Sequence, residues 1–366
     1  MKRRSHLTLR MKNLVLPAFL PDATQGFVRA VDSDDLLGVH IQALVMNTYH
    51  LMQKPGSSTV QAFNGLHQFS GWPGIIITDS GGFQAYSLIH ESDKFGTISD
   101  RGIILRPEGK NRKFILSPEK STQLQFSYDT DVVICLDDCT HVDAPREAQE
   151  SSVNRTLNWA KRCKQTYLHQ LEQRQIPDDQ RPLIFGVVQG GGHHDLRQKC
   201  AEGLLEIGFD GFGYGGWPLD SDNNLLEDIV GLTRELIPNE FPMHALGIGH
   251  PLNLLKTYRL GYDIFDCALP TRDARHGRLM RFTQSTDAHL DNSGGWFENI
   301  YLQDKIYIKD SRPVSEYCDC PVCRNYSLGY LHHLFKNGDW LFKRLATLHN
   351  LRFMTQLTHR LRSYEN

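Results

Sequence analysis

Long hydrophobic runs are absent from this sequence. No apolar stretch approaches the ~20 residues needed to cross a bilayer. The apolar segment at 13–20, which follows a basic start, is short, contains Pro17 and lacks a clear small-residue cleavage site, so it does not read as a secretion signal. We therefore expect a cytoplasmic protein with no membrane partner.

An excess of charge of either sign is also missing. The 40 Lys and Arg residues and 42 Asp and Glu residues give a formal net charge of −2 at pH 7. Such a balance provides no overall attraction to a polyanion, so any nucleic acid must be held by a local basic patch. The sequence has no internal repeat and no low-complexity tract, which excludes solenoids and repeat arrays.

Cysteine is too sparse, at 8 in 366 residues, for a disulfide scaffold. Three of the cysteines nevertheless cluster, at Cys318, Cys320 and Cys323. A tetrahedral metal site needs a fourth ligand, and the candidates downstream are His332, His333 and His349. Three cysteines and one histidine leave no open position for water, so the metal would be structural; the alternative is a chance cluster of free thiols.

Short apolar runs alternate with amphipathic stretches from residue 40 to 270. The runs are near-continuously apolar, as expected of parallel strands covered on both sides. The predicted strands are Gln42–Asn47, Gly74–Thr78, Asp131–Asp137, Leu183–Gln189, Gly211–Gly216, His244–Gly249 and Ile264–Leu269, plus one before residue 30. The predicted helices include Ala144–Gln173, His194–Ile207, Asn223–Leu236 and Pro251–Leu260.

Polar or glycine residues end strand after strand. In an eightfold barrel such ends meet at one mouth, where active sites lie, whereas a doubly wound sheet would spread them along a crevice. We predict an α/β fold, a (β/α)8 TIM barrel with a C-terminal zinc-binding subdomain. Residues 1–281 would form an irregular catalytic barrel with an inserted hairpin region near 93–116, in which Gly96, Gly102 and Gly109 are turn signals. Residues 282–366 would form a zinc-binding subdomain with closing helices.

Two aspartates, Asp79 and Asp266, lie at or inside apolar strands, where a carboxylate loses hydration. Each alone would be read as a helix cap or a buried carboxylate held by backbone N–H groups. Paired carboxylates, however, can divide the work of breaking a glycosidic bond, one as nucleophile and one as proton carrier.

Further groups at the strand ends can read a planar heterocycle. Asp137 can accept hydrogen bonds from ring N–H groups, Gln189 can pair with a carbonyl, and Phe83 can stack on the ring. The Gly215-Gly216 backbone allows close approach, although the glycine-rich segment 211–216 can alternatively cradle a phosphate.

Two groups of basic residues follow the predicted strands. The first recurs every three residues after Asp266, at Arg272, Arg275, Arg278 and Arg281, and the second comprises Lys343, Arg344, Arg352, Arg360 and Arg362. Either can be a solvated helix face. Because the first lies beside a candidate nucleophile, we favour phosphate contact, and together the groups suggest an RNA partner.

Several ordered motifs resemble those of the bacterial-type tRNA-guanine transglycosylases, the queuine or preQ1 tRNA-ribosyltransferases. They are Asn47–Leu51 (NTYHL), Asp79–Gln84 (DSGGFQ), Leu116–Glu119 (LSPE), Phe265–Arg272 (FDCALPTR) and the set Cys318, Cys320, Cys323 and His349. The likeness runs from about Leu16 to His349, nearly the whole chain.

The resemblance implies exchange of the wobble guanine in tRNAs with a G-U-N anticodon for a 7-deazaguanine, preQ1 or queuine, on the route to queuosine. It implies that Asp266 is the nucleophile that forms a covalent RNA intermediate and that Asp79 is the general acid/base. The implied contacts to the base are Asp137, Gln189, Gly216, Phe83, Ser80 and Leu246, and those to the anticodon loop are Arg272 and Arg275. One structural Zn²⁺ with His349 as its fourth ligand, and a homodimer, are also implied.

The sequence departs from the family pattern around the expected 7-substituent pocket. Where relatives have Gly-Gly-Leu-Ala-Val-Gly-Glu, residues 215–221 read GGWPLDS, so that Trp217 is bulky and Ser221 replaces a glutamate. Leu246 replaces a methionine that usually covers the base, and His244 replaces a common tyrosine. Asp220 is a candidate partner for an aminomethyl group.

Three rival functions remain open at this point. One is a catalytically silent tRNA-binding subunit that assists an active relative, although retention of both Asp79 and Asp266 argues against it. Another is a barrel enzyme for phosphorylated sugars or free nucleosides, with 211–216 as its phosphate loop. The third is 7-deazaguanine exchange on DNA.

Overall fold

The computed structural model describes residues 3–106, 113–141, 143–222, 224–285 and 289–363. Its strands are β1 His6–Leu9, β2 Lys12–Val15, β3 Ala18–Pro21, β4 Ala43–Asn47, β5 Ile75–Asp79, β6 Gly96–Ser99, β7 Gly102–Leu105, β8 Phe114–Leu116, β9 Val132–Ile134, β10 Leu183–Val188, β11 Gly211–Tyr214, β12 Met243–Ala245, β13 Ile264–Cys267, β14 Arg278–Phe282 and β15 Phe297–Tyr301.

Fourteen α-helices lie in the described residues. None of them is both long and apolar enough to span a membrane. They are α1 Ser33–Gly38, α2 Thr48–Gln53, α3 Ser57–Ala62, α4 Leu66–Ser70, α5 Gly82–Glu91, α6 Pro118–Ser127, α7 Arg146–Arg174, α8 His194–Ile207, α9 Glu227–Glu235, α10 Pro251–Leu260, α11 Leu269–Arg275, α12 Pro321–Asn325, α13 Leu328–Lys336 and α14 Trp340–Ser363. Short 3₁₀ turns occupy Asp93–Phe95, Asp178–Gln180 and Lys305–Tyr307.

Eight parallel strands form one sheet in the order β3-β13-β12-β11-β10-β9-β5-β4. A parallel bridge between Asp22 and Val45, with the hydrogen bond from Ala23 N to Val45 O at 2.7 Å, joins β3 to β4 and closes the ring. The order around the ring is the order along the chain, as in a (β/α)8 barrel. The predicted fold class is therefore confirmed, and each predicted strand overlaps one of the eight.

The barrel interior is filled with aliphatic side chains, and the β1–β2 hairpin plugs its amino end. Residues such as Val45, Ile77 and Ile134 form an inner core with the side chains of the β1–β2 hairpin. This hairpin lies at the amino ends of the barrel strands, where Lys12 Nζ donates to Gly74 O at 3.0 Å. The hairpin thus closes the amino end of the barrel, and a ligand would enter at the opposite, carboxyl end.

The helical layer is regular in the second half of the barrel and irregular in the first. The predicted helices His194–Ile207 and Pro251–Leu260 are confirmed to the residue, and Ala144–Gln173 is confirmed as α7 with a shift of one or two residues. The predicted start Asn223 lies outside the described residues. Between β4 and β5 the chain forms three helices of five or six residues, which are too short for helical periodicity to reveal.

The eighth helix position is filled by α14, which packs on α10, α1 and β3 although about 70 residues separate its start from the end of β13. The intervening segment carries the β14–β15 hairpin and the cysteine cluster. The domain boundary predicted at residue 281 falls within β14, and the division of the chain there stays a prediction.

Strands β6, β7 and β8 form an antiparallel three-stranded sheet, and they lie between β5 and β9 in the chain. Gly102, at φ +140°, begins β7 where an added Cβ would lie 2.6 Å from Leu116 O, so the turn signal noted in the sequence has a steric origin. Gly109, another predicted turn residue, lies outside the described residues.

Candidate active site and metal centre

The carboxyl ends of the barrel strands surround a cavity of about 590 Å³. Sequence-predicted residues on its wall are Asp79, Ser80, Phe83, Asp137, Gly216, Leu246, Asp266 and Arg272. Asp79 and Asp266 therefore open into one space from the same end of the barrel. Gln189 is fully buried beside this wall and contacts Asp137.

Asp79, the last residue of β5, is held by three donors from neighbouring turns. Asn47 Nδ2 donates to its Oδ2 at 2.6 Å, while the N–H groups of Thr48 and Gly81 donate to its Oδ1 at 3.1 and 2.9 Å. Gly81 has φ +80°, a left-handed conformation that suits glycine, and this turn aims its N–H at the carboxylate.

The pKa of Asp79 is strongly perturbed. Burial raises the pKa to about 7, against the lowering effect of the hydrogen bonds from Thr48 and Gly81, and the negative charges of Asp266 and Asp22 raise it further. A carboxyl group with such a pKa exchanges protons readily near neutral pH, which is what general acid/base catalysis requires.

Asp266 is oriented through one of its two oxygens. His244 Nε2 lies 2.8 Å from Oδ1, and the N–H of Gly247 donates to the same oxygen at 3.2 Å. Among the described residues Oδ2 has no hydrogen-bond partner, so it is free to act on a ligand in the cavity. His244 is fully buried, and its ring orientation is thereby fixed behind the carboxylate.

The cavity wall beyond the ends of β9 and β10 carries a carboxyl group and an amide that contact each other. Gln189 Nε2 donates to Asp137 Oδ2 at 2.6 Å, and burial raises the pKa of Asp137 to about 6 while this hydrogen bond lowers it. Within the described part of the chain, Gln189 Oε1 is buried without a partner. A buried acceptor of this kind is costly unless a ligand supplies a donor.

A buried arginine that the sequence interpretation missed shapes the glycine turn. Arg197 on α8 donates to Val188 O, Gly191 O and Gly215 O at 2.6, 2.9 and 3.0 Å, and its guanidinium lies 4.3 Å from the Tyr214 ring centroid. These bonds fix the carbonyls that precede Gly216, where φ is +88°. No periodic pattern marks Arg197, because its partners are backbone atoms distant in sequence.

Aromatic side chains form the outer rim of the cavity. Phe83 is 42% exposed, and its ring meets that of Trp217 edge-on at 5.4 Å between centroids. His141 approaches the other side of Trp217 at 5.6 Å. Phe83 is thus accessible for stacking on a planar ligand, and Trp217 limits the space beside it.

A fourth carboxylate on the cavity wall, Asp22, was also missed. It directly follows β3, whose bounds the sequence had left open as a strand before residue 30. The signal that identified Asp79, a polar residue at the end of an apolar run, is present at Asp22 as well and would have found it.

The cysteine cluster comes together with a histidine from α14. One ligand atom each from Cys318, Cys320, Cys323 and His349 lies within 4.8 Å of all the others. His349 Nε2 contacts Met280 O at 2.7 Å, which leaves Nδ1, 3.3 Å from Cys323 Sγ, to face the thiols. A metal-binding histidine is commonly oriented in this way by a carbonyl group.

The other two histidine candidates are engaged elsewhere. His332 is buried and its Nδ1 contacts Leu302 O at 2.6 Å, while His333 contacts Asn337 on its own helix. The Cys3His set predicted as a metal site is therefore brought together, and its donors fit a closed tetrahedral centre.

Comparison with known proteins decides the family. The family model described as Queuine tRNA-ribosyltransferase matches residues 1–364. Curated proteins of that name are 35% identical in Thermoanaerobacter sp. (strain X514), over 94% of this chain and 85% of the relative, and 34% identical in Psychrobacter sp. (strain PRwf-1), over 98% and 88%. The one from Actinobacillus pleuropneumoniae serotype 3 is 36% identical, over 94% and 84%.

The chain belongs to the queuine tRNA-ribosyltransferase family. It is accordingly a transferase of tRNA processing, and the resemblance seen in the sequence motifs is confirmed.

Two departures from the family pattern occupy different places in the structure. Trp217, Pro218 and Leu219 line the cavity, so this part of the wall is apolar. His244, which we had assigned to the 7-substituent pocket, lies instead behind Asp266. Asp220 is exposed and its carboxylate accepts from the N–H groups of Asp222 and Asn224 at 2.9 and 2.8 Å. The suggestion that Asp220 meets an aminomethyl group is therefore not supported.

The first basic group divides into two pairs. Arg278 pairs with Asp273 and Arg281 with Glu298, each through Nε at 2.8 Å. Arg272 is exposed and borders the cavity. The pKa of Arg275 is lowered by burial and by the neighbouring charge of Arg29. Arg272 and Arg275 are thus the members of the group available to bind phosphate.

The second basic group is engaged within the protein. Arg344 pairs with Asp35 at 2.7 Å and Arg352 with Asp319 at 2.6 Å. Arg360 and Arg362 donate to backbone carbonyls, and Lys343 lies over the Trp340 ring. The expectation that this group binds RNA is not supported for its four arginines, because they brace α14 against the barrel and the metal site; Lys343 contacts only its own helix among the described residues.

Proposed function

We propose that this chain exchanges the wobble guanine of tRNAs with a G-U-N anticodon for a 7-deazaguanine, on the route to queuosine. The observation that carries the proposal is the shared cavity: Asp79 and Asp266 open into it from one rim, beside a wall suited to a planar base. A double displacement at one sugar carbon needs this pairing of a nucleophile and a proton carrier.

In the first displacement, Asp266 Oδ2 attacks C1′ of the guanosine and the C1′–N9 bond breaks. The leaving guanine takes a proton from Asp79, whose pKa near 7 keeps a large protonated fraction at neutral pH. The product is a covalent ester between Asp266 and the ribose. His244 and Gly247, both bonded to Oδ1, hold the carboxylate so that Oδ2 faces C1′.

The second displacement reverses these roles. The incoming 7-deazaguanine gives its N9 proton to the Asp79 carboxylate, N9 attacks C1′, and the bond from C1′ to Asp266 breaks. Together the two half-reactions return Asp79 to its protonated form and Asp266 to a free carboxylate, so the cycle balances without a redox cofactor or a hydrolytic water.

We assign recognition of the base to the cavity wall beyond β9 and β10. Asp137 and Gln189 bind the polar edge of guanine, with the Gln189 Oε1 acceptor awaiting a donor. Gly216 and Ser80 border the ring, Leu246 covers it and Phe83 stacks on it. Arg272 and Arg275 hold phosphates of the anticodon loop.

The incoming base, preQ1 or queuine, is distinguished by competition in one exchange assay. The apolar wall at 217–219 and the engaged Asp220 provide no carboxylate from this loop for the amine of preQ1. A preference for queuine would indicate that the 217–219 loop contacts the larger 7-substituent of that base. A preference for preQ1 would indicate that its amine binds to another part of the cavity.

We further propose one structural Zn²⁺ per chain, held by Cys318, Cys320, Cys323 and His349. Bound zinc would cross-link the 318–323 loop to α14 and would take no part in the exchange. Metal analysis of the purified protein tests its identity. The homodimer and the cytoplasmic location stay predictions.

The decisive experiment uses Asp266→Asn. The unaltered enzyme should exchange radiolabelled guanine into a tRNA stem-loop and, with a 7-deazaguanine inhibitor, leave a covalent RNA–protein band in denaturing gels. Asp266→Asn should lose both the exchange and the band, because an amide cannot form the ester. If the unaltered enzyme shows neither activity, the proposal fails and a silent tRNA-binding subunit becomes the better interpretation.

A further inference from the structure

Asp22 is a carboxylate of the cavity wall that the two displacement steps do not use. Its Oδ1 accepts from the N–H of Thr24 at 3.0 Å and from the Thr24 hydroxyl. Its Oδ2 has no hydrogen-bond partner among the residues that the structure describes. A half-buried carboxylate that lines the cavity is thus held through one oxygen, while its other oxygen is unpartnered by any described residue.

Asp22 lies between the strands that carry the reacting groups. On one side β3 pairs with β13, and Leu20 lies opposite Asp266 in the register. On the other side Asp22 bridges to Val45 of β4, the strand that ends in the Asp79-binding Asn47. Burial raises the pKa of Asp22 and the charge of Asp266 adds to the effect, which agrees with their proximity.

The hydrogen bonds made by Asp79, Asp266 and Asp22 leave different oxygens free to bind a ligand. Both oxygens of Asp79 are bound by donors, and Oδ1 of Asp266 is bound by two. The free acceptors are therefore Oδ2 of Asp266, which is assigned to attack, and Oδ2 of Asp22. A carboxylate oxygen accepts hydrogen bonds and donates none, so Asp22 needs a donor from the ligand.

The ribose of the reacting nucleotide offers such a donor beside C1′. Its 2′-hydroxyl is on the carbon next to the one that Asp266 attacks, whereas phosphates carry only acceptors and would be repelled by Asp22. Deoxyribose has no hydroxyl at this carbon, and the 2′-hydroxyl is the group that lets a protein distinguish RNA from DNA.

A positively charged neighbour does not account for the free oxygen. The charge of Asp22 influences the pKa values of His50 and Arg275, so both lie nearby. Neither forms an ion pair with Asp22 in the described part of the chain. Arg275 is instead assigned to a phosphate of the anticodon loop in the proposed function.

We propose that Asp22 binds the reacting nucleotide by accepting a hydrogen bond from its 2′-hydroxyl through Oδ2, and that this contact makes the enzyme select RNA over DNA. The inference rests on the proposed function. It assigns to the site a sugar-specific contact in addition to the contacts with the base and the phosphates.

The test compares two RNA stem-loops that differ only in a 2′-deoxyguanosine at the exchanged position. With the unaltered enzyme, kcat/KM for guanine exchange should be about tenfold or more higher on the all-ribose substrate, the size expected for one hydrogen bond to a charged group. Asp22→Ala should lower kcat/KM on the all-ribose substrate but hardly change it on the deoxy substrate, so that the ratio approaches one.

Asp22→Asn provides a second variant that keeps the Oδ1 contacts with Thr24 and therefore the local turn. It should also lower the ratio, because the charged acceptor is replaced by an amide. Asp34→Asn, an exposed substitution on α1, should leave the ratio unchanged. Equal losses on both substrates in the two Asp22 variants, or a ratio near one in the unaltered enzyme, would overturn this assignment. Absence of exchange on either substrate by the unaltered enzyme would instead overturn the proposed function.

Discussion

Two aspartates at opposite ends of the barrel, Asp131 and Asp79, show how neighbouring groups give the same side chain different properties. Asp131 precedes β9 at the plugged end, and Asp79 ends β5 at the open end. Asp131 contacts His67 Nε2 at 3.2 Å and lies 3.7 Å from side-chain nitrogens of Arg10 and Lys12. Asp79 receives only neutral donors and faces two other carboxylates.

The electrostatic consequences have opposite sign. Burial raises the pKa of Asp131, but the hydrogen bonds from His67 and from the N–H of Ile76, together with the charge of Lys12, bring it below its ordinary value. At Asp79 burial prevails and the pKa is about 7. Burial alone therefore does not set the direction of the pKa shift, because the cations around Asp131 outweigh it and Asp79 has no such cation.

The largest expected difference is in catalysis. Asp79→Asn should lower kcat for guanine exchange by about 10²- to 10⁴-fold, because the variant cannot carry the proton to and from N9. Asp131→Asn should keep nearly full kcat per folded molecule, as measured at a temperature where both variants are folded. Comparable losses of kcat in the two variants would contradict the assignment of catalysis to the open end of the barrel and of stability to the plugged end.

Stability should show the reverse ranking. Asp131→Asn leaves the cationic groups around it without their anion and should lower the free energy of unfolding by about 3 kcal/mol at pH 7. Urea unfolding followed by circular dichroism measures this change. Asp79→Asn is the matched control and should not destabilise the protein at that pH; a loss equal to that of Asp131→Asn would contradict the comparison.

The pH dependence should separate the two sites further. The folded-state pKa of Asp79, about 7, lies above its unfolded value of 3.8, so ionisation of Asp79 lowers stability as the pH rises from about 4 to 7. Asp79→Asn removes this pH dependence, so its stability relative to the unaltered protein should rise by about 2–3 kcal/mol between pH 5 and pH 8. The full shift corresponds to about 4 kcal/mol, and the remainder of it falls below pH 5.

For Asp131 the sign is opposite. Its folded-state pKa lies below 3.8, so its contribution is present above that pH and is lost as the pH falls further. The deficit of Asp131→Asn should therefore shrink below about pH 4. Urea titrations at pH 3, 5 and 8 measure both trends, and parallel curves for the two variants would refute the assigned shifts.

The smallest expected effect is on tRNA binding, and it compares Arg272 at the open end of the barrel with Arg10 at the plugged end. Arg272→Ala should weaken tRNA stem-loop binding and reduce the slope of log K against log salt by about one, as for loss of one phosphate contact. Arg10→Ala, at the plugged end, should lower stability but leave the slope unchanged. Fluorescence anisotropy at several salt concentrations measures the slope, and an unchanged slope in Arg272→Ala would remove Arg272 from the RNA-binding surface.

Sequence patterns predicted the barrel strands well because buried parallel strands are apolar throughout and end in polar residues. Asp79, Asp137 and Asp266 were found in this way. The pattern was weaker for β3, and Asp22 was missed because the end of that strand had not been located. The short helices between β4 and β5 left no periodic signal.

Other features depend on contacts that sequence spacing does not contain. Spacing left three histidines as possible metal ligands, and only the tertiary contact of His349 with Met280 O distinguishes them. The run of basic residues near the carboxyl end resembled an RNA-binding patch, yet its partners, among them Asp35 and Asp319, are distant in sequence. The orienting role of His244 likewise depends on a neighbouring strand.

The position of α14 has a consequence for the order in which this protein assembles on the ribosome. Arg344 and Arg362 on this helix contact Asp35 and Pro17 across more than 300 residues. The ring of helices therefore stays open, with the flank of β3 uncovered, until translation has passed residue 363. Contacts of such long range slow folding and expose apolar surface meanwhile. A nascent chain halted before α14 should therefore bind chaperones that recognise exposed apolar strands.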